Sequence, residues 1–265
     1  MSTMKNKVKD SVSELAPATV SEFEGVRYLH LGTPWVQGAM RVRKPLAIEL
    51  EYVQRMMVWL LLREPAELSE GLAVQLGLGA GAITRFTHGV LKMKTVAVEL
   101  NATVIGMCRA YFKLPDDDGR LQVMQMDAAT FVADPQNAAT AQVLCVDLYD
   151  HEAASPMLDS ESFYRQCHNV LVKGGVMTVN LFGRDASFEQ SAARIAAAFK
   201  GDTVFSMQPT QEGNTIVVAM KGGTLPDRET LAQRAETLDT RFKLPAKKWL
   251  RMMRPLSPVP SLAST

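Results

Sequence analysis

The segment from Leu72 to Glu99, LAVQLGLGAGAITRFTHGVLKMKTVAVE, constrains the fold more than any other part of the chain. Its first five residues are short and apolar, the pattern of a strand covered on both faces of a parallel sheet. Gly77, Gly79 and Gly81 follow at alternate positions. Glycine there lets the backbone turn sharply and keeps side chains away from a ligand approaching the next helix. The pattern then predicts a helix over 83–91 and a second strand over 95–98. Glu99 ends that strand, 22 residues after Gly77, where an acid can accept hydrogen bonds from a ribose diol. This is the outline of a nucleoside-cofactor site. The spacing Gly77-x-Gly79-x-x-Ala82 also satisfies the dinucleotide fingerprint, and a glycine turn can be no more than a tight connection. The turn alone therefore leaves nicotinamide and S-adenosyl cofactors both open.

Later strands decide between them. A helix over 102–112 leads to a strand over 121–126, followed at once by Asp127-Ala128. A fourth strand over 142–146 is followed at once by Asp147. Three successive strands thus end in carboxylates, and the carboxyl ends of parallel strands line one crevice. A polar loop over 149–159 is long enough to lie over that crevice. A helix over 160–171 is expected to stop at Lys173-Gly174-Gly175, ahead of a fifth strand over 176–181. An alanine-rich helix (186–199) and two strands (204–208 and 214–221) close the domain. An antiparallel closing pair is the mark of a methyltransferase-type sheet and has no counterpart in a nicotinamide domain. The expected fold class is α/β: a Rossmann-like S-adenosylmethionine-dependent methyltransferase fold, doubly wound and mostly parallel, behind a small β-hairpin domain.

The flanks are read the same way. Residues 1–20 have weak periodicity and are expected to be disordered. Two strand-like runs (26–32 and 35–42) joined by Thr33-Pro34 suggest a hairpin, with Gln37 in the second. A helix over 49–62 carries a core of methionines, leucines and Trp59; its Tyr52 can cover a ligand or pack inside. The expected units are 21–65 (hairpin and helix), 66–222 (Rossmann-like domain) and 223–265 (a helical, basic tail). In that tail Lys243, Lys247, Lys248, Arg251 and Arg254 read as the solvated side of a helix docked by Trp249. Net charge is +1, so composition points to neither nucleic acid nor a membrane surface. Cys108, Cys145 and Cys167 have no ligand spacing; buried reduced thiols and no metal are expected. Without an apolar leader or spanning run, a cytoplasmic protein is expected.

With the glycine turn, Glu99, Asp127-Ala128 and Val146-Asp147-Leu-Tyr-Asp150 placed, the chain resembles the spermidine synthase (polyamine aminopropyltransferase) family over roughly residues 25–222. The segment LDSESFYRQCHNVLVKGGVMTVNL adds to the resemblance. It implies a dimeric enzyme that uses decarboxylated S-adenosylmethionine and an amine such as putrescine. It implies that Gly77, Gly79 and Gly81 approach the donor's amino-acid-derived arm. Glu99 would bind the ribose, Asp127 the adenine amino group with Ala128 beside it, and Gln37 would reach in from the hairpin. Asp147 would prepare the attacking amine, and Asp150 would help hold the polyamine. The family's turn carries an aspartate where this chain has Ala80, and its D-P-x-G-P gives way here to Asp150-His151-Glu152-Ala153. Two other readings use the same scaffold: an S-adenosylmethionine-dependent methyltransferase, which Ala80 would suit by not repelling the donor's carboxylate, and a non-catalytic nucleoside-binding protein.

Overall fold

In this computed structural model residues 15–148, 158–182 and 186–256 are described. Three strands come first: β1 (Ala18–Phe23), β2 (Val26–Leu31) and β3 (Gly38–Arg41), an antiparallel sheet in that order. The expected hairpin is therefore a three-stranded sheet. The expected disorder over 1–20 is corrected for residues 18–20, because Ala18 is buried and 18–23 pair residue for residue with 26–31; residues 1–14 lie outside the described residues. Gln37 lies just before β3, its N–H donating to Leu29 O at 2.8 Å. The helix expected over 49–62 divides into α1 (Glu51–Met56) and a tighter 3-10 stretch, Met57–Leu62. All six residues of that stretch are buried, so packing selects its geometry over propensity.

The main sheet begins with β4 (Leu72–Leu76), followed after the glycine turn by α2 (Ala82–Thr84), a single turn that widens into a π-helix over Arg85–Val90. Then come β5 (Lys94–Glu99), α3 (Ala102–Tyr111), β6 (Leu121–Gln125), α4 (Ala128–Ala133) and β7 (Ala141–Val146). The second half holds α5 (Glu161–Val170), β8 (Leu171–Phe182), α6 (Ala186–Ala198), β9 (Thr203–Met207) and β10 (Asn214–Met220). The chain ends in α7 (Arg228–Phe242), α8 (Ala246–Met252) and β11 (Met253–Pro255). Strand order is β11-β9-β10-β8-β7-β4-β5-β6. Strands β8, β7, β4, β5 and β6 run parallel, while β10 is antiparallel to both β8 and β9. The expected antiparallel end of a methyltransferase-type sheet is present.

Alternation along the strands builds two cores. Ala73, Val143 and Cys145 face one side with α1 and the 3-10 stretch. Val74, Leu76, Leu144 and Val146 face the other, with α4, α5 and α6. All three cysteines are free and buried.

Two expectations about glycines and the tail are revised. Lys173-Gly174-Gly175 does not stop a helix: α5 runs straight into β8, and the glycines form a bulge where the register jumps from Ala141↔Leu171 to Val143↔Val176. The C-terminal carbonyls of α5 have another partner, the Lys221 Nζ, which donates to His168 O and Leu171 O at 2.9 and 2.7 Å. The tail, in turn, belongs to the domain. Leu231, Ala235, Leu238 and Trp249 join the core on the α1 side, and Arg234 pairs with Glu64. The five basic residues are exposed on its outer side. Trp249 is only 1% exposed, so Trp249→Ala should cost about 3–5 kcal/mol in urea unfolding. A loss below about 0.5 kcal/mol, typical of a surface site, would show the tail to be peripheral.

Candidate active site

The carboxyl ends of four adjacent strands carry the predicted residues. Gly77 N–H donates to Val98 O at 2.8 Å and Asp147 N–H to Leu76 O at 2.9 Å. These bonds extend the ladders β5–β4–β7 one step beyond the strands. Asp147, the glycine turn, Glu99 and Asp127 therefore follow one another along one edge. Three strand spacings separate the outer acids, roughly 14 Å, which suits a nucleoside with an aliphatic arm.

The turn is shaped by its neighbours. Gly77 has φ +83°, and a Cβ there would lie 2.1 Å from the Asp147 carbonyl. Any side chain at 77 would drive the acid out of line. Gly79 (φ +50°) lies below Gln37, whose carbonyl would be 3.1 Å from its Cβ. Below the turn, buried Gln75 donates to Gly77 O at 2.7 Å and accepts from Thr84 Oγ1 at 2.6 Å. Cys108 Sγ donates to Gly79 O at 3.0 Å; burial pushes this thiol up to about 12, which leaves it protonated and able to donate. Arg85 bonds Ala80 O and donates to Pro45 O at 2.8 Å, tying the turn to the N-terminal segment.

Glu99 is oriented by backbone: Oε2 accepts from Leu78 N at 2.9 Å and Oε1 from Asn101 N at 2.8 Å. Burial raises its pKa against these donors. Each carboxylate oxygen has further lone-pair capacity, so the pair of ribose hydroxyls can still be accommodated. Asp127 caps α4, its Oδ1 accepting from Thr130 N at 2.9 Å. Ala128 is buried beside it.

The acid at the other end is the most perturbed. Asp147 Oδ1 accepts from Asn180 Nδ2 at 2.9 Å, and Oδ2 from the Tyr52 hydroxyl at 3.3 Å. Burial pushes Asp147 up to about 6, although both hydrogen bonds pull it down. Tyr52 is raised well above its ordinary value by burial and by this carboxylate, so it stays a donor. Asp147, Tyr52, Gln37, Gln75 and Ala80 line one narrow cleft between the N-terminal sheet and the turn. Of the predicted residues, Gln37, Tyr52, Gly79 and Asp147 line this cleft, while Glu99, Asp127 and Ala128 lie outside it along the same sheet edge; Asp150 lies outside the described residues, as do His151 and Glu152. Sequence reasoning missed Gln75, Asn180 and Asn214. A lone amide in an otherwise apolar strand was the available signal for the first two.

A family model for the spermine/spermidine synthase domain matches residues 76–225, the segment that contains the turn, the three acids and the closing strands. The chain belongs to the spermine/spermidine synthase family. Relatives agree along nearly the full length. A polyamine aminopropyltransferase of Chromobacterium violaceum is 29% identical, with 92% of each chain covered. One from Neisseria meningitidis is 27% identical over 95% of this chain and 94% of that one. Among solved structures, a probable spermidine synthase from Corynebacterium glutamicum has a TM-score of 0.70 at 17% identity, covering 94% of this chain and 95% of its own. Human methyltransferase-like protein 13 in complex with SAH has a TM-score of 0.63 at 22% identity, covering 81% and 99%; these likenesses bear on the fold.

Within this family framework the site has one local feature, the pair Gly38 and Ala80. A Cβ on Gly38 would lie 2.5 Å from the Ala80 Cβ. The N-terminal sheet therefore rests on the turn through two residues of minimal size. Gly77→Ala should destabilise the fold by about 3 kcal/mol, through its positive φ and the carbonyl of Asp147. Chemical denaturation measures this, and an unchanged midpoint would disprove the contact.

Proposed function

We propose that the protein transfers the aminopropyl group of decarboxylated S-adenosylmethionine to a primary amine of a small polyamine-type acceptor such as putrescine. The observation that carries the reading is Asp147: a desolvated carboxylate at the crevice edge, with a pKa of about 6 and two side-chain donors. The near full-length similarity to polyamine aminopropyltransferases supports it.

The chemistry asks for such a group. An alkylammonium has a pKa near ~10 and cannot attack while protonated. When bound, the donor supplies a carbon activated by its sulfonium, and methylthioadenosine departs with the electrons of the broken C–S bond. Asp147 takes a proton from the attacking nitrogen and aims its lone pair, a role that contributes about 10²–10⁴-fold. Tyr52 holds Oδ2 of that carboxylate. Glu99 and Asp127 supply acceptors suited to ribose hydroxyls and an exocyclic amine. The glycine turn and Gln37 leave a slot for the aliphatic arm, and holding the arm in line with the amine contributes further.

Asp147→Asn should lower kcat by about 10²–10⁴-fold. Its effect on stability has the opposite sign. The folded pKa of Asp147 lies above its ordinary 3.8, so any stabilisation from the group is present below that value and lost as pH rises through about 6. At pH 7 the neutral amide avoids burying a charge, and Tm should hold or rise. A variant that loses both activity and Tm would make Asp147 a structural residue.

The wild-type kcat should fall as pH drops through about 6, because protonated Asp147 cannot accept the amine proton. Calorimetry with decarboxylated S-adenosylmethionine, S-adenosylmethionine and methylthioadenosine tests the donor. Preference for the decarboxylated form is expected. Preference for S-adenosylmethionine would move the protein to methyl transfer, which apolar Ala80 would permit, and binding of none would overturn both enzymatic readings.

A further inference from the structure

Asp147 is held by a chain of side chains that crosses two strands. Asn180 on β8 donates its Nδ2 to Asp147 Oδ1 at 2.9 Å, and accepts on its own Oδ1 from Asn214 Nδ2 at 3.1 Å. Asn214 is 9% exposed and its backbone is held on both sides: the main-chain N–H donates to Thr210 Oγ1 at 3.1 Å, and the main-chain carbonyl accepts from Thr210 N at 2.8 Å. Topology makes this possible. Because β10 runs antiparallel to β8, its first residue, Asn214, pairs with Phe182 at the carboxyl end of β8. The inverted strand that closes the sheet thereby delivers a side chain to the crevice edge.

The direction of the chain follows from charge. A carboxylate only accepts hydrogen bonds, so Asn180 must present its NH₂ group to Asp147 and its carbonyl away. An amide can flip, and in the flipped state its carbonyl would face the carboxylate with no bond between them. The Asn214 donor disfavours that alternative by engaging the Asn180 carbonyl. We propose that Asn214 is a positioning residue of the transfer reaction: through Asn180 it occupies Oδ1 of Asp147 and leaves Oδ2, loosely held by Tyr52, for the acceptor amine.

The inference rests on the aminopropyl-transfer reading for its kinetic consequence, but not for its geometry. The groups around Asp147 are few. Tyr52 faces it from α1, Asn180 from β8, and the Cys145 thiol lies two residues back on β7; burial keeps that thiol neutral, up at about 12. Among the described residues no cation pairs with Asp147. The Asn180 bond is therefore the main specific interaction that offsets the desolvation of the carboxylate. Weakening it lets the proton bind more tightly.

The test uses the full-length protein and three variants. Asn214→Asp is isosteric but reverses the bonding: its carboxylate attracts the Asn180 NH₂ and turns the carbonyl toward Asp147. Asn214→Leu removes the donor without adding charge, and Asn214→Thr retains a hydroxyl donor. Carbon-13 NMR of aspartate-labelled protein, with the Asp147 signal assigned by Asp147→Asn, gives its titration midpoint without any need for turnover. The midpoint should rise by about one unit in Asn214→Asp and Asn214→Leu, and stay near wild type in Asn214→Thr. In Asn214→Asp and Asn214→Leu kcat at pH 6 should fall about fivefold, recover as pH rises, and leave the donor KM within about twofold. Folded Asn214→Asp and Asn214→Leu proteins whose midpoint moves by less than about 0.3 unit would overturn the inference. A kcat loss equal at every pH would also overturn it, since that is the signature of a merely structural role. A wild-type protein that turns over no amine would refute the functional reading instead, and the titration would still decide the chain of amides.

Discussion

The contact on which the site depends is the approach of Gly77 to the carbonyl of Asp147. No side chain can occupy the 2.1 Å left beside that Cα, so β4 and β7 meet at their carboxyl ends with backbone against backbone. The bond from Asp147 N to Leu76 O locks the same step. Together they place the Asp147 carboxylate immediately beside the glycine turn. Glu99 is set by the other side of the turn, through Leu78 N. A single short segment thus fixes the spacing of both acids. The glycine spacing that suggests a ligand loop is first of all a requirement of the protein's own packing, and the room for a ligand follows from it.

Much of this was legible in the chain. The alternation of apolar runs with helical segments, and the acids that end three strands, are local features, and they imply a mostly parallel, doubly wound sheet; its strand order is read only from the structure. The inverted β10 was readable too, because two strand-like runs separated by a short turn can only pair antiparallel. What was not legible depends on distant partners. Residues 57–62 form a 3-10 stretch because all six are buried at once, a tertiary condition that periodicity cannot report. Gly174 and Gly175 read equally well as a helix stop or a bulge, and the presence of Lys221 at the end of α5 decides. Asn180 and Asn214 are 34 residues apart in sequence and bond to each other only because β10 is inverted.

The residues of the site differ in where their order comes from. Asp127 is held by its own helix cap, and Glu99 by an N–H two residues on together with Leu78 N of the glycine turn. Both are fixed by main-chain donors of the parallel half of the sheet. Asp147 depends on α1, β8 and β10 together. Its alignment is a property of the whole domain.

The outer wall of the cleft is built from a separate sheet, and its fit to the turn limits what side chain position 80 can carry. Ala80 is 2% exposed and meets the backbone of Gly38. An aspartate there would need room for three more heavy atoms, or a sheet set farther from the turn. Arg85 opposes that separation by bonding Ala80 O on one side and Pro45 O on the other. The two small residues and the buried guanidinium therefore form one arrangement, in which β3 is drawn down onto the turn and an acid at position 80 would have no place. Charge in this cleft among the described residues comes from Asp147. Its protonation, set by burial and by the amides behind it, therefore decides the charge of the cleft.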